Sequence, residues 1–160
     1  NRVIKCLSKL HGQQGQFSEA REILESYLEE NKYDIDAAVE KAHQGFLQSQ
    51  TDNTGDYDEP EKIYLKAIRR GTTDPLVFKR LGLIYIHKWK WKEANAVFKN
   101  YCYNIEKGCG YAWWLLGMSY FKLRDMDNAE KCLELSNILD NQNADTWGML
   151  SVICMIIGIG

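Results

Sequence analysis

The sequence predicts an all-α fold, a solenoid in which antiparallel helical hairpins stack in a row. Three observations carry that expectation. Trp113, Leu116, Gly117, Tyr120, Ala129 and Leu133 follow the spacing W-x2-L-G-x2-Y and then A-x3-L. Trp147 lies 34 residues beyond Trp113, and Leu150 repeats the offset of Leu116. Apolar residues elsewhere recur at three- and four-residue spacing between turns rich in glycine or polar residues, which is the helical rather than the strand period.

Taken in order, Val3, Ile4, Leu7 and Leu10 form one helical stripe, which Gly12 and Gly15 break. Phe17, Ala20, Ile23, Leu24, Tyr27 and Leu28 form the next, with Ser18 as its start signal and Glu19 and Glu22 near the positive end of the helix dipole. Ile4, Leu7, Ala20 and Leu24 keep the offsets of Trp113, Leu116, Ala129 and Leu133, so residues 1–34 read as a degenerate repeat.

Residues 35–74 read as an atypical unit. Its first helix carries Ile35, Ala38, Val39, Ala42 and Phe46 but lacks a large first landmark, and small residues there let helices approach closely. A polar, acidic insertion is expected over residues 50–59, too weakly apolar to bury itself, before a helix that starts near Pro60 and carries Ile63, Tyr64, Ala67 and Ile68.

Residues 75–109 restore the pattern: Phe78, Leu81, Gly82 and Tyr85, then Ala94 and Phe98, with Lys88 to Trp91 as the turn. Residues 110–143 turn at Arg124 to Asp127. Residues 144–160 supply the first helix of a further, truncated unit, with Asp145 near its start and Trp147, Leu150 and Cys154 on its stripe. From Met149 to Gly160 only Ser151 is polar, a run too short to cross a bilayer and better read as a helix that has lost its neighbour.

These landmarks resemble the tetratricopeptide repeat (TPR) family over nearly the whole chain, most strongly from Asp74 onward. The resemblance implies a right-handed superhelix of about nine antiparallel helices whose first helices line a concave groove. It also implies a non-catalytic scaffold that holds other proteins within a larger assembly. The divergent, aromatic-rich repeats are similar to those of cilia- and flagella-associated TPR proteins of the axoneme, which would place the chain in the cytoplasm and at the cilium.

The groove-lining residues so implied are Leu76, Lys79, Leu83 and Ile86, then Tyr111, Trp114, Met118, Phe121 and Lys122, then Val152 and Met155, with Asp145 and Gly148 beside them. That lining is apolar and aromatic and suits a partner helix or extended segment with hydrophobic anchors. The competing reading is that several of these side chains pack against further helices of the array.

Other functions fit less well. Twenty basic against 22 acidic residues leave a net charge of −2, which argues against nucleic acid as a partner. Five cysteines without a C-x-x-C pair read as reduced, mostly buried thiols of an intracellular protein. The chain opens Asn1-Arg2-Val3-Ile4 without an apolar signal core and reads as a piece of a longer protein.

The alternative function is a co-chaperone adaptor that grips the peptide tails of chaperones. Such clamps use Lys, Asn and Arg on successive first helices, and here Lys79 and Arg80 are present while Leu83 and Met118 stand where the Asn is expected. Counting from Asp52, Tyr57 and Ile63 occupy the Gly and Glu places of a calcium loop, so that pattern fails. Cys102 and Cys109 lack a nearby His and read as packing rather than metal ligands. His11, His43 and His87 stand far apart, no catalytic motif occurs, and no enzyme activity or cofactor is expected. Trp89 and Trp91, among Lys88, Lys90 and Lys92, read as caps on a hairpin turn in preference to a base-stacking platform.

Overall fold

The computed structural model describes residues 2–140 and 144–159. The expected unit boundary at Asn143 and the side chains of Asp145 and Cys154 lie outside the described residues. Nine α-helices are present among the described residues: α1 (Arg2–Gln13), α2 (Phe17–Glu30), α3 (Ile35–Thr51), α4 (Asp58–Arg69), α5 (Pro75–His87), α6 (Trp91–Asn100), α7 (Gly110–Lys122), α8 (Met126–Leu139) and α9 (Ala144–Ile159). A π-helical turn, Tyr101–Ile105, extends α6. The chain divides into two compact units, Asn1–Thr73 and Asp74–Gly160.

In the first unit, α1 packs on α2 and α3, and α3 on α4. Ala20 and Leu24 are fully buried. Ser8 stands at the repeat position of Gly117, and its hydroxyl donates to the Ala20 carbonyl at 3.3 Å, so a small residue again marks the helix approach. Leu7, expected as a landmark, is exposed together with Val3 and Leu10, because α2 and α3 occupy the other side of α1.

The expected insertion over residues 50–59 is shorter than its polarity suggests. Helix α3 continues through Thr51 and α4 begins at Asp58, so Pro60 is the third residue of its helix and is buried. Tyr57 is also buried, its ring centroid 5.2 Å from that of Phe46, where the sequence suggested nothing that would bury itself. Two polar ties shorten the connection. The Ser49 hydroxyl donates to the Asp56 carbonyl at 2.6 Å, and Glu59 bridges Arg21 at 2.7 Å and Lys41 at 3.1 Å.

In the second unit each helix packs on the next, from α5 through α9. Helix α5 starts where the Asp74 carboxylate accepts the Leu76 N–H at 3.0 Å and Pro75 takes the first turn. The repeat glycines are points of close approach. A methyl group built on Gly82 would lie 2.3 Å from the Phe98 ring, and one on Gly117 would lie 2.8 Å from Leu133 Cγ. Leu81, Leu116, Ala94, Ala129, Phe98 and Leu133 are all fully buried. Polar ties complete the stack: the Ser136 hydroxyl donates to the Gly110 carbonyl at 2.8 Å, and Asn95 donates to Ser119 at 3.0 Å.

Candidate protein-binding surface

Helix α9 exposes the apolar side chains Trp147, Val152, Met155 and Ile156. At about 100° per residue, Trp147, Ser151, Met155, Gly148, Val152 and Ile156 fall on one continuous arc of about 180°. All six are exposed, Trp147 to 54% and Met155 to 66%. The opposite side of the helix holds Ile153, which is fully buried with Ala129 and Leu133, while Met149 and Leu150 pack partly buried against that cluster. Among the described side chains of α9, one side is therefore core and the other is exposed and mostly apolar.

Beside this arc, α8 and α9 enclose a groove of ≈ 540 Å³ lined by Glu130, Glu134, Asn137, Ile138, Trp147, Leu150 and Ser151. Ile138 is exposed, and Asn137 Oδ1 is buried without a donor among the described residues. The lining combines the acidic Glu130 and Glu134 with the apolar Ile138, Trp147 and Leu150.

The residues expected to line a groove divide into three groups. Trp114 and Phe121 on α7 are half-buried against the Ala129, Leu133 and Ile153 cluster, so α9 helps to cover them and part of their surface is packing rather than docking area. Tyr111 is exposed and stacks on Trp114 with centroids 5.9 Å apart, while Met118 is half-buried. Val152 and Met155 lie on the open arc.

The remaining candidates sit elsewhere. Leu76 is exposed and Leu83 and Ile86 are half-buried on α5, and none of them joins the described cluster of α7, α8 and α9. Lys79 places its ammonium 5.6 Å from the Tyr101 ring centroid and 3.9 Å from Glu106. Lys122 lies over the Trp91 ring, 5.8 Å from its centroid. Trp89 does not cap its turn as expected: it is 74% exposed, and the ring contact it makes is edge to face with Trp91 at the start of α6.

Trp147, Ile138 and the α8/α9 groove escaped sequence reasoning. Trp147 was legible as a packing landmark, and its homologous residue Trp113 is indeed buried, donating its indole N–H to the Lys107 carbonyl at 2.8 Å. Ile138 lies on a second helix, whereas the family pattern directs attention to first helices. The one sequence signal was the apolar run after Met149.

The buried cysteines are chemically quiet. Burial pushes the Cys102 thiol up to about 12 and the Cys132 thiol up to about 11. Among the described residues, no group of three or more His, Cys, Asp or Glu side chains is placed to hold a metal ion. No described helix is long and apolar enough to cross a membrane.

Residues 29–158 match the family described as Cilia and flagella-associated protein 70 C-terminal domain. The chain belongs to this family. It is 27% identical to human Cilia- and flagella-associated protein 70 over 160 residues, 95% of this chain and 13% of that protein. The same protein of Macaca fascicularis is 32% identical over 82 residues, 51% of this chain and 8% of the relative. The chain thus spans only a small part of the relatives it matches.

Solved structures support the fold. YrrB, described as a TPR protein with an unusual peptide-binding site, superposes with a TM-score of 0.83 at 16% identity, covering 97% of this chain and 76% of YrrB. MamA from Desulfovibrio magneticus RS-1 gives a TM-score of 0.80 at 16% identity, covering 98% of this chain and 85% of MamA. At such identity the likeness concerns architecture alone, and it makes this chain a TPR-type α-solenoid.

Proposed function

We propose that this chain is a non-catalytic scaffold module that holds other proteins within a ciliary, and specifically axonemal, assembly. Its second unit takes an apolar helix or extended segment on the open face of α9. One observation carries this reading: the exposed half of α9 presents Trp147, Val152, Met155 and Ile156 without an intervening charge. Contiguous apolar surface of this kind costs solvation free energy unless something covers it. The adjoining groove adds an unpaired acceptor, Asn137 Oδ1, that a partner donor would satisfy.

Family membership supports the ciliary setting, and the fold supports protein rather than small-molecule partners. The engagement of Lys79 by Glu106 and Tyr101 favours this reading over a carboxylate clamp. The test is affinity capture from ciliary extract with the chain and with a Val152→Glu, Met155→Lys variant, whose sites are exposed and tolerate charge. Axonemal proteins captured by the first and lost by the second are expected. An identical set captured by both would remove α9 as the docking face, and chaperones held equally by both would point to the adaptor.

A further inference from the structure

The turn between α5 and α6 breaks two local rules at once. Trp89 has φ +58°, a left-handed backbone that favours glycine and penalises a bulky aromatic. The corresponding turn between α1 and α2 places Gly15 in that conformation, at φ +77°. The next residue, Lys90, occupies the N-cap of α6 and makes no side-chain capping bond. In the turn between α7 and α8 the same place is taken by Asp125, which accepts the Asn128 N–H at 3.3 Å. Arg124 adopts the same conformation in the α7–α8 turn, at φ +67°, and Gln16 likewise leaves α2 without a side-chain cap, so each departure recurs; the α5–α6 turn combines the two and holds a 74% exposed tryptophan there. Local strain kept against an available alternative points to a function for the residues that cause it.

Those residues form a patch of defined chemistry. Trp89 and Trp91 meet edge to face at 6.1 Å, and Lys122 reaches over the Trp91 ring from the end of α7. Lys90 and Lys92 are exposed, Lys88 is half-buried, and Arg124 is exposed in the neighbouring turn. The acidic groups nearby in sequence are Glu93, Asp125 and Asp127.

We propose that this turn binds an extended, glutamate-rich polypeptide segment, whose carboxylates meet the exposed Lys90 and Lys92 while its backbone and side-chain methylenes lie on Trp89. Charge complementarity selects the acidic partner, in a chain whose overall charge is negative. An extended chain can meet cations one at a time, whereas a flat anionic surface is opposed by any acid on the same face. Nucleic acid is disfavoured because Lys122 already covers Trp91, leaving Trp89 as the free stacking ring of the pair. The site is separate from the α9 face, so the two are testable independently.

The test is fluorescence anisotropy of a labelled Glu-Gly repeat peptide titrated with this chain, beside a Gln-Gly peptide of equal length. Binding of the Glu-Gly peptide alone, weakening as salt is added, is expected. Trp89→Gly, Lys90→Asp restores glycine and a capping carboxylate. It should bind the Glu-Gly peptide about tenfold more weakly, the combined loss of one aromatic contact and one ion pair, while its Tm stays equal or rises. Trp89→Asn, which also suits the left-handed backbone, should weaken binding in the same direction. Val152→Glu, Met155→Lys should leave it unchanged. Peptide binding that is absent in the unaltered chain, or undiminished in both turn variants, overturns the proposal. So does tighter binding of phosphatidylserine vesicles or of single-stranded oligothymidine than of the Glu-Gly peptide.

Discussion

The same substitution, glycine to alanine inside a helix, should have opposite effects at Gly82 and Gly45. A methyl group on Gly82 would sit 2.3, 2.6 and 2.7 Å from three atoms of the Phe98 ring. Phe98 is fully buried on α6, so its ring has nowhere to retreat. Overpacking of this kind costs about 1–3 kcal/mol, and the better helix propensity of alanine returns about 1 kcal/mol. A contact as short as 2.3 Å puts the cost at the upper end, about 2–3 kcal/mol, so the net loss for Gly82→Ala is about 1–2 kcal/mol, a fall in Tm of about 2–8 °C for a chain of this size.

A methyl group on Gly45, in α3, would meet Pro60 Cγ at 3.6 Å and Arg21 Nε at 3.8 Å, which are ordinary contacts. Gly45→Ala should accordingly gain up to about 1 kcal/mol and raise Tm by about 2–4 °C. Thermal melts followed by circular dichroism at 222 nm measure both. A Phe98→Leu background, which opens space beside Gly82, should remove most of the Gly82→Ala penalty. If Gly82→Ala stabilises the chain as Gly45→Ala does, the assignment of Gly82 to the helix contact is wrong.

Trp113→Ala should cost about 3–5 kcal/mol, and Trp147→Ala, at the same repeat position but half in water, less than about 1.5 kcal/mol; the same melts separate them. Asp34 bears on acid stability. Burial tends to raise its pKa, but the Ala37 N–H, the Tyr27 hydroxyl and the Lys5 charge outweigh that and hold it below the usual carboxylate value. Its contribution is thus complete above about pH 4 and is lost as pH falls through the lowered value. Asp34→Asn keeps a capping oxygen and should flatten the acid limb of a pH–Tm profile while changing stability above pH 5 more evenly. Cysteine alkylation at pH 8, read by peptide mass spectrometry, should modify exposed Cys6 first and half-buried Cys109 next, with Cys102 and Cys132 protected until urea unfolds the chain. Equal rates at Cys6 and Cys102 would refute the buried placement of the π-helical turn after α6.

Some features were legible because they depend on near neighbours in sequence. Gly82 and Phe98, like Gly117 and Leu133, lie 16 residues apart, the reach of one helical hairpin, so their pairing follows from helical period and turn length. The burial of Tyr57 was not legible, since it depends on Phe46 across a bend tightened by Ser49 of the same helix, by Arg21 of α2 and by Glu59 of α4. The candidate surface was legible only in part. Val152 and Met155 are exposed, whereas Trp114 and Phe121, equally apolar in sequence, are drawn into the cluster around Ile153.

The sequence by itself determined the helical hairpin, its repeat and the small residues that let helices touch, because those are set by spacing within a few turns of chain. Only the tertiary structure showed what each of two equivalent tryptophans packs against. Trp113 finds the Lys107 carbonyl and the Tyr103 ring, with centroids 5.2 Å apart, whereas Trp147 meets a groove that is still open. Exposure is a property of what packs against a residue, and a repeat motif prescribes the residue without supplying its neighbour.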